Sequence, residues 1–178
     1  MRRPSFNRLK PRRGAPYPGA VPAATALEKA LQLLAIRART ALELERALAR
    51  SGYAAPERES AMARVRALGY INDPETARAR ARSRVGRGDA PRLAVKKLVA
   101  QGVEQGDARA AAAEAAEGAS EEELASRALE RRLKGRQPAD EREQRRLFRA
   151  LVGKGHSPSA AAKALGIAWE GTDDVEDW

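Results

Sequence analysis

The chain has 178 residues, with 34 Lys and Arg against 24 Asp and Glu, so its formal net charge is +10 at neutral pH. It contains no cysteine, which excludes disulfides and thiolate metal ligands and agrees with a reducing compartment such as the cytoplasm. Hydrophobic residues make up 43% of the chain but aromatic residues only 4%, a composition that favours closely packed helices. The cationic excess favours a polyanionic partner: nucleic acid, an anionic membrane or an acidic protein surface.

The chain begins with a basic, proline-rich segment, residues 1–23, which is predicted to be a disordered arm. A helical pattern follows, because apolar residues recur at steps of four, three and four along one predicted face. These residues are Leu27, Leu31, Leu34 and Ala38.

Two more helices complete a first unit. Thr40 and Glu43 have the spacing of a capping box, which predicts the start of a second helix that Gly52 ends. A third helix is predicted to end at Gly69. Its apolar stripe consists of Ala61, Val65 and Leu68. We therefore expect a three-helix unit over residues 24–71.

The next segment places four arginines on alternate positions, a spacing typical of a strand. They are Arg78, Arg80, Arg82 and Arg84. Apolar residues, however, recur every fourth position at Ala77, Ala81 and Val85, and alanine favours helices over strands. Asp73 followed by Pro74 is typical of an N-cap and a first helical residue. The sequence therefore predicts a cationic helix with almost no acids to pair with the arginines, since none lies between Thr76 and Gly88.

Similar stretches then recur about every fifty residues. They are RALARSGY, KKLVAQGV and FRALVGKGH, beginning at Arg46, Lys96 and Phe148. In each, a leucine precedes a helix-ending glycine by four residues, and a period of this length is typical of helical arrays. The predicted fold is an all-α, elongated tandem array of three three-helix, helix-turn-helix-like repeats. The units are residues 24–71, 73–118 and 120–169, followed by an acidic tail, residues 170–178.

No pattern in the sequence predicts catalysis, a metal site or a cofactor. The single histidine, His156, follows a helix end, where a cation would suit the helix dipole, and has no neighbouring metal ligands. The acidic run 121–123 lies in a predicted first turn that begins with a Ser120–Glu123 capping box. The GKG at 153–155 is far from a phosphate-binding loop.

Basic residues in all three units form the predicted partner-binding and nucleic-acid-binding surface. They are Arg37, Arg39, Arg46, Arg50, Arg78, Arg80, Arg82, Arg84, Arg87, Arg92, Lys96, Lys97, Arg131, Arg132, Arg145, Arg146 and Arg149. Arginine makes bidentate contacts with phosphate and carboxylate, so the array could follow a nucleic-acid backbone, an acidic protein groove or a protein–DNA filament. The alternative is a solvated face with helical Glu–Arg pairs.

Three segments together resemble the RecX family of regulators of the RecA recombinase. LLAIRARTALELERALARSGY (33–53) is similar to the opening two helices of that family. VRALGYINDPETARARARSRVGRGDAPRL (65–93) resembles its most recognisable segment, and KKLVAQGV resembles the helix end that follows. The order and spacing of the segments carry the resemblance, which extends over about residues 24–168.

The resemblance implies a non-catalytic protein that binds the RecA–single-stranded-DNA filament in its groove. There it would inhibit ATP hydrolysis, strand exchange and filament extension, and so modulate recombination, DNA repair and the SOS response. We expect a cytoplasmic monomer without a membrane partner. The alternative function is that of a sequence-independent DNA-binding or architectural helical protein.

Overall fold

A computed structural model describes residues 24–171, and these residues form nine α-helices and no strand. The predicted arm, residues 1–23, and residues 172–178 of the predicted acidic tail lie outside the described part of the chain. The helices group in threes, which confirms the predicted all-α array of three-helix repeats.

Each repeat consists of three consecutive helices. The first repeat comprises α1 (Ala26–Ile36), α2 (Ala41–Arg50) and α3 (Ala55–Ala67); the second comprises α4 (Asp73–Gly86), α5 (Pro91–Ala100) and α6 (Gln105–Ala116); the third comprises α7 (Glu121–Leu133), α8 (Glu141–Gly153) and α9 (Pro158–Leu165). In every repeat the first helix packs against the third, and the second helix contacts both.

Most of the described helices begin after a residue whose side chain caps the first turn, although Ala54 and Ala90, which precede α3 and α5, cannot do so. Both predicted capping boxes are present: the Thr40 side chain accepts from the Glu43 N–H, and Ser120 accepts from the Glu123 N–H. The predicted N-cap at Asp73 is wrong by one residue, because Asn72 caps α4. The Asp73 carboxylate instead accepts a hydrogen bond from the Ala41 N–H at 2.9 Å, so it caps α2 of the preceding repeat.

Each repeat has its own small core. The first is built mainly from Leu44, Leu48, Tyr53, Met62 and Val65; the second from Ala77, Ala81, Leu98, Val103 and Ala108; the third from Leu129, Leu133, Leu147, Phe148 and Leu151. In the second core, alanines on α4 and α6 let the two helices approach closely, since they have no bulk beyond Cβ. The alanine-rich composition therefore reflects tight helix packing.

The predicted apolar stripe of α1 is partly wrong. Ala26 and Ala30 are its buried residues, whereas Leu31 is 36% exposed. α1 ends at Ile36, before Ala38 can join its face. Close packing of α1 on α3 selects the alanine side of α1, with leucines at its margins. Leu68 is likewise exposed, because it is the C-cap of α3 and not part of its buried face.

Neighbouring repeats are connected by two joints of similar design. In joint 1, between the first and second repeats, the Thr40 hydroxyl at the start of α2 donates to the Gln101 carbonyl at the end of α5. In joint 2, between the second and third repeats, the Ala90 N–H at the start of α5 donates to the Lys154 carbonyl at the end of α8, at 2.8 Å. At each joint, the end of the second helix of one repeat therefore packs on the start of the second helix of the preceding repeat.

A glycine lies at the centre of each joint. Gly102 (φ +89°) lies against the Leu42 side chain, and Gly155 (φ +86°) lies against Leu93. The positive φ and the close approach both require glycine there. At the equivalent residue of the first repeat, Gly52 (φ +90°), an added Cβ would have no other atom within 4 Å. Glycine at position 52 is therefore required by the backbone conformation alone and not by packing.

This difference predicts unequal effects of two identical substitutions. Gly52→Ala should cost about 1–2 kcal/mol of unfolding free energy, the strain of a left-handed alanine. Gly102→Ala should cost roughly 1–3 kcal/mol more, because its Cβ would clash with Leu42. Urea unfolding followed by circular dichroism measures both. Equal losses would contradict packing at joint 1.

Candidate nucleic-acid interface

The four alternating arginines of α4 have carboxylate partners, contrary to the expectation that they lack them. Arg80 makes the most extensive set of contacts. Its guanidinium pairs with both Glu43 oxygens, at 2.7 and 3.1 Å, and donates to the Gln101 side chain at 2.7 Å and to the Ala38 carbonyl at 3.1 Å. Because Arg80 belongs to the second repeat and Glu43 to the first, this buried cluster is part of joint 1.

Glu43 remains ionised within this cluster. Burial alone would raise the pKa of Glu43, but hydrogen bonding to Arg80, the charges of Arg80 and Arg37, and the Thr40 N–H together hold the pKa below its ordinary value. The carboxylate thus offsets the Arg80 charge inside the protein. Arg80 is a structural residue of the joint and is not displayed to a partner.

The other three arginines of α4 are paired more openly. Arg84 contacts Asp89 at 3.3 Å and is mostly buried. Arg78 and Arg82 lie on another side of the helix, each about half exposed, and share Glu75 and Glu114. Exposed pairs of this kind contribute little free energy, so Arg78 and Arg82 could exchange a carboxylate for another anion. Glu75 lies in the first turn of α4, whereas Glu114 and Asp89 come from outside the helix, and a pair such as Arg82–Glu114 cannot be recognised from the sequence of α4 alone.

Five further candidates also have internal acceptors. Arg37 pairs with Glu43, Arg145 with Glu141 and Arg146 with Glu143, while Arg39 donates to the Leu33 carbonyl and Arg92 to the Gly155 carbonyl. Arg39 has a lowered pKa, chiefly through burial and then through the charge of Arg37. These contacts assign Arg39 and Arg92 partly structural roles.

The remaining eight candidates are exposed cations with no ion pair or side-chain hydrogen bond to residues 24–171. They are Arg46, Arg50, Arg87, Lys96, Lys97, Arg131, Arg132 and Arg149. We call this set the unpaired cations. They come from all three repeats, so the cationic surface is distributed along the array and is not concentrated on α4.

Three of the unpaired cations occupy one equivalent position. Arg46, Lys96 and Arg149 each precede the glycine that ends the second helix by six residues. The three side chains therefore occupy equivalent positions in successive repeats, and joints 1 and 2 connect the second helices that carry them. We call this set the cation ladder.

His156 lies buried in joint 2. Its Nε2–H donates to the Gly88 carbonyl at 3.0 Å, and its Nδ1 is buried with no hydrogen-bond partner in the described chain. Burial lowers the pKa of His156, and the charges of Lys154 and Arg92 add to this effect; the Gly88 hydrogen bond and Glu121 oppose it. The ring is therefore neutral at pH 7, so its role at the helix end is that of a buried hydrogen-bond donor and not of a cation.

The described residues offer no metal centre or membrane span. Between residues 24 and 171, no group of three or more His, Cys, Asp and Glu side chains could hold a metal ion. No helix in the same range is long and apolar enough to cross a bilayer.

The Arg80 cluster predicts a strong dependence of stability on one arginine. Arg80→Gln leaves Glu43 poorly compensated in a half-buried site and should lower the free energy of unfolding by about 1–3 kcal/mol. Arg82→Gln, which removes only exposed pairs, is the matched control and should change it by less than about 0.5 kcal/mol. Denaturant unfolding measures both. Equal, small effects would show that the joint does not depend on Arg80.

The buried ring of His156 predicts a pH effect. Its pKa is lowered in the folded chain, so unfolding takes up a proton below the ordinary pKa of about 6.5. The stabilisation is fully present above that pH and is lost as pH falls towards the folded pKa. Unfolding free energies measured from pH 7 to pH 5 should therefore decline. His156→Gln, which keeps an N–H donor, should reduce this decline, and an unchanged slope would contradict the assignment.

Comparisons with known proteins agree with this architecture. Residues 26–64 match the family model of the first three-helix domain of RecX. A search of curated proteins finds no match to the chain.

Two solved structures share the fold over most of the chain. A crystal structure of a regulatory protein RecX is similar with a TM-score of 0.57 and 20% identity, covering 79% of this chain and 70% of that one. The crystal structure of RecX from Lactobacillus salivarius is similar with a TM-score of 0.55 and 18% identity, covering 79% and 92% of the two chains. The predicted resemblance to the RecX family is thereby confirmed, by sequence in the first three-helix domain and by fold across the repeats.

Proposed function

We propose that this chain is a non-catalytic cytoplasmic regulator of the RecA recombinase. It binds the RecA–single-stranded-DNA filament in its groove and inhibits ATP hydrolysis, strand exchange and filament extension. The RecX-like first domain and fold support the regulatory role. The observation that carries the mode of binding is the cation ladder together with the other unpaired cations.

The geometry of the array suits a long, regular polyanion. The residues of the cation ladder recur once in each repeat, so each can contact a different negative charge along one filament groove. The unpaired cations have no carboxylate partner within residues 24–171, so their contacts with phosphate displace no ion pair in the described part of the chain. Joints 1 and 2 hold the second helices that carry these three residues in fixed positions relative to one another. Such contacts carry no base specificity and would act on any DNA sequence.

A second function is supported by the same charges. A sequence-independent DNA-binding or architectural protein would also use unpaired cations against phosphates. The two functions differ in whether the recombinase contributes to binding. Their separation therefore requires bare DNA and recombinase-coated DNA to be compared under the same salt conditions.

The test is RecA ATP hydrolysis on single-stranded DNA with this protein added below the RecA concentration. We expect the rate to fall, and the variant Arg46→Gln/Lys96→Gln/Arg149→Gln to inhibit more weakly, because three ladder contacts are lost. If these three side chains neutralise about three phosphates, the variant's slope of log affinity against log salt should be flatter by roughly 2.

The control is a variant with the same net charge but an intact ladder. Arg64→Gln/Arg66→Gln/Arg109→Gln removes three exposed arginines that have no ion pair with residues 24–171 and lie outside the proposed surface. It should inhibit like the unmodified protein. An unchanged hydrolysis rate with the unmodified protein at low salt would remove the proposal, and tight binding to bare duplex with indifference to RecA would favour the architectural function.

A further inference from the structure

A small cleft at joint 2 is lined by cations from three helices. Arg87 follows α4, Arg131 and Arg132 lie in the last turn of α7, and Lys154 follows α8. The rest of the lining consists of Ala128, Ala150 and Leu151, and the cleft volume is about 190 Å³. Within residues 24–171, no acidic side chain lines it. We call it the joint cleft.

The charge of the joint cleft is not balanced from within. Arg87, Arg131 and Arg132 belong to the unpaired cations. Lys154 is already engaged, since it donates to the Arg87 carbonyl and lies 3.5 Å from Asp89. Three unpaired guanidinium groups held near one another repel, and a bound anion would relieve that repulsion.

An adjoining cleft provides a contrast. It shares Ala128 and Arg131 with the joint cleft and is lined by two more arginines, but also by Asp89 and Glu117. Its charges are thus nearly compensated within the protein. Of these two clefts, the joint cleft is the one with a marked excess of positive charge.

Helix dipoles account for only part of this clustering. Cations are favourable near the carbonyl ends of helices, and α4, α7 and α8 all end here. One cation beside each end would satisfy that effect. Arg131 and Arg132 both lie in the last turn of α7, and both are exposed without an acceptor in the described chain, so the dipole explains neither their number nor their place at a shared cleft.

The backbone holds the cleft in a fixed shape. Gly88 (φ +87°) approaches α7 so closely that an added Cβ would lie 2.9 Å from the Ala128 Cβ. The Gly88 carbonyl is held by His156, and the Arg87 carbonyl by Lys154. The residue that carries the first cation is therefore fixed against the helix that carries the next two. A site with preset geometry loses less entropy when an anion binds.

We propose that the joint cleft binds a backbone phosphate of single-stranded DNA. Guanidinium groups suit phosphate because they can donate two parallel hydrogen bonds to its oxygens. The proposal rests on the proposed function, since it identifies a place where DNA within the recombinase filament contacts this chain. It also adds Lys154 to the predicted surface, a residue within the GKG stretch that sequence patterns did not favour.

The test compares two variants of equal net charge. Arg87→Gln/Arg131→Gln/Arg132→Gln removes the unpaired cations of the cleft, and Arg64→Gln/Arg66→Gln/Arg109→Gln removes three arginines elsewhere; each lowers the formal charge from +10 to +7. Fluorescence anisotropy measures binding to a labelled oligothymidylate, bare and RecA-coated, over a range of salt concentrations. All six side chains are exposed, so both variants should fold, as circular dichroism will check.

We expect the cleft variant to bind both DNA forms about tenfold more weakly at low salt, with a salt slope flatter by roughly 0.7, because one neutralised phosphate is lost. The control variant should lose less than threefold. Gly88→Ala keeps the full charge but disturbs the cleft, and should also weaken binding at temperatures where the protein stays folded.

Three results would overturn the joint cleft as a phosphate site. Equal losses of DNA affinity in the two triple variants would show that net charge, and not the cleft, determines binding. An unchanged salt slope in the cleft variant would exclude phosphate contacts there. A loss on the filament alone, with unchanged binding to bare oligothymidylate, would identify recombinase carboxylates as the ligand. Failure of the unmodified protein to alter RecA ATP hydrolysis is a separate result, which removes the proposed function whatever the variants do.

Discussion

The array depends on one contact repeated at each joint: the end of a second helix seated on the start of the preceding repeat's second helix. At both joints a glycine with φ near +90° permits the approach, and backbone groups complete it. Each three-helix unit has a small core, so the units need this contact to form one body. Every cation on a second helix takes its place relative to the next from this contact.

The charges of α4 illustrate how tertiary structure changes the meaning of a local pattern. Four arginines in a stretch, residues 77–87, that contains no acid look like a surface made for a polyanion. In the folded chain Glu43 crosses joint 1 to pair with Arg80, and Asp89 and Glu114 reach others from the α5 and α6 sides. The densest run of positive charge in the sequence is therefore the best compensated. Several more sparsely placed cations, among them Arg46, Lys96 and Arg149, have no ion pair within residues 24–171.

The fold could be predicted from the sequence far better than the candidate site. Helix starts and ends depend on nearby residues: Thr40 with Glu43, Ser120 with Glu123 and the glycine at 52 act within a few positions. The buried side of α1 was harder, since Leu31 outranks Ala30 in hydrophobicity and only the close packing against α3 reverses their burial. Ion pairs between repeats and the convergence of Arg87 with Arg131 join residues far apart in the chain, and no local period encodes them.

The two joints differ in where their charged groups lie and in whether those charges are paired. In joint 1 the charge is internal, because Arg80 and Glu43 neutralise each other within the contact. In joint 2 a neutral histidine replaces that pair as the buried polar group, and the cations remain at the rim. A joint that keeps its own charges compensated needs no external anion to be stable. Joint 2 forms through its own contacts, which include the Lys154–Asp89 pair, while Arg87, Arg131 and Arg132 at its rim have no ion pair within residues 24–171, so of the two joints the second is the one suited to contact DNA.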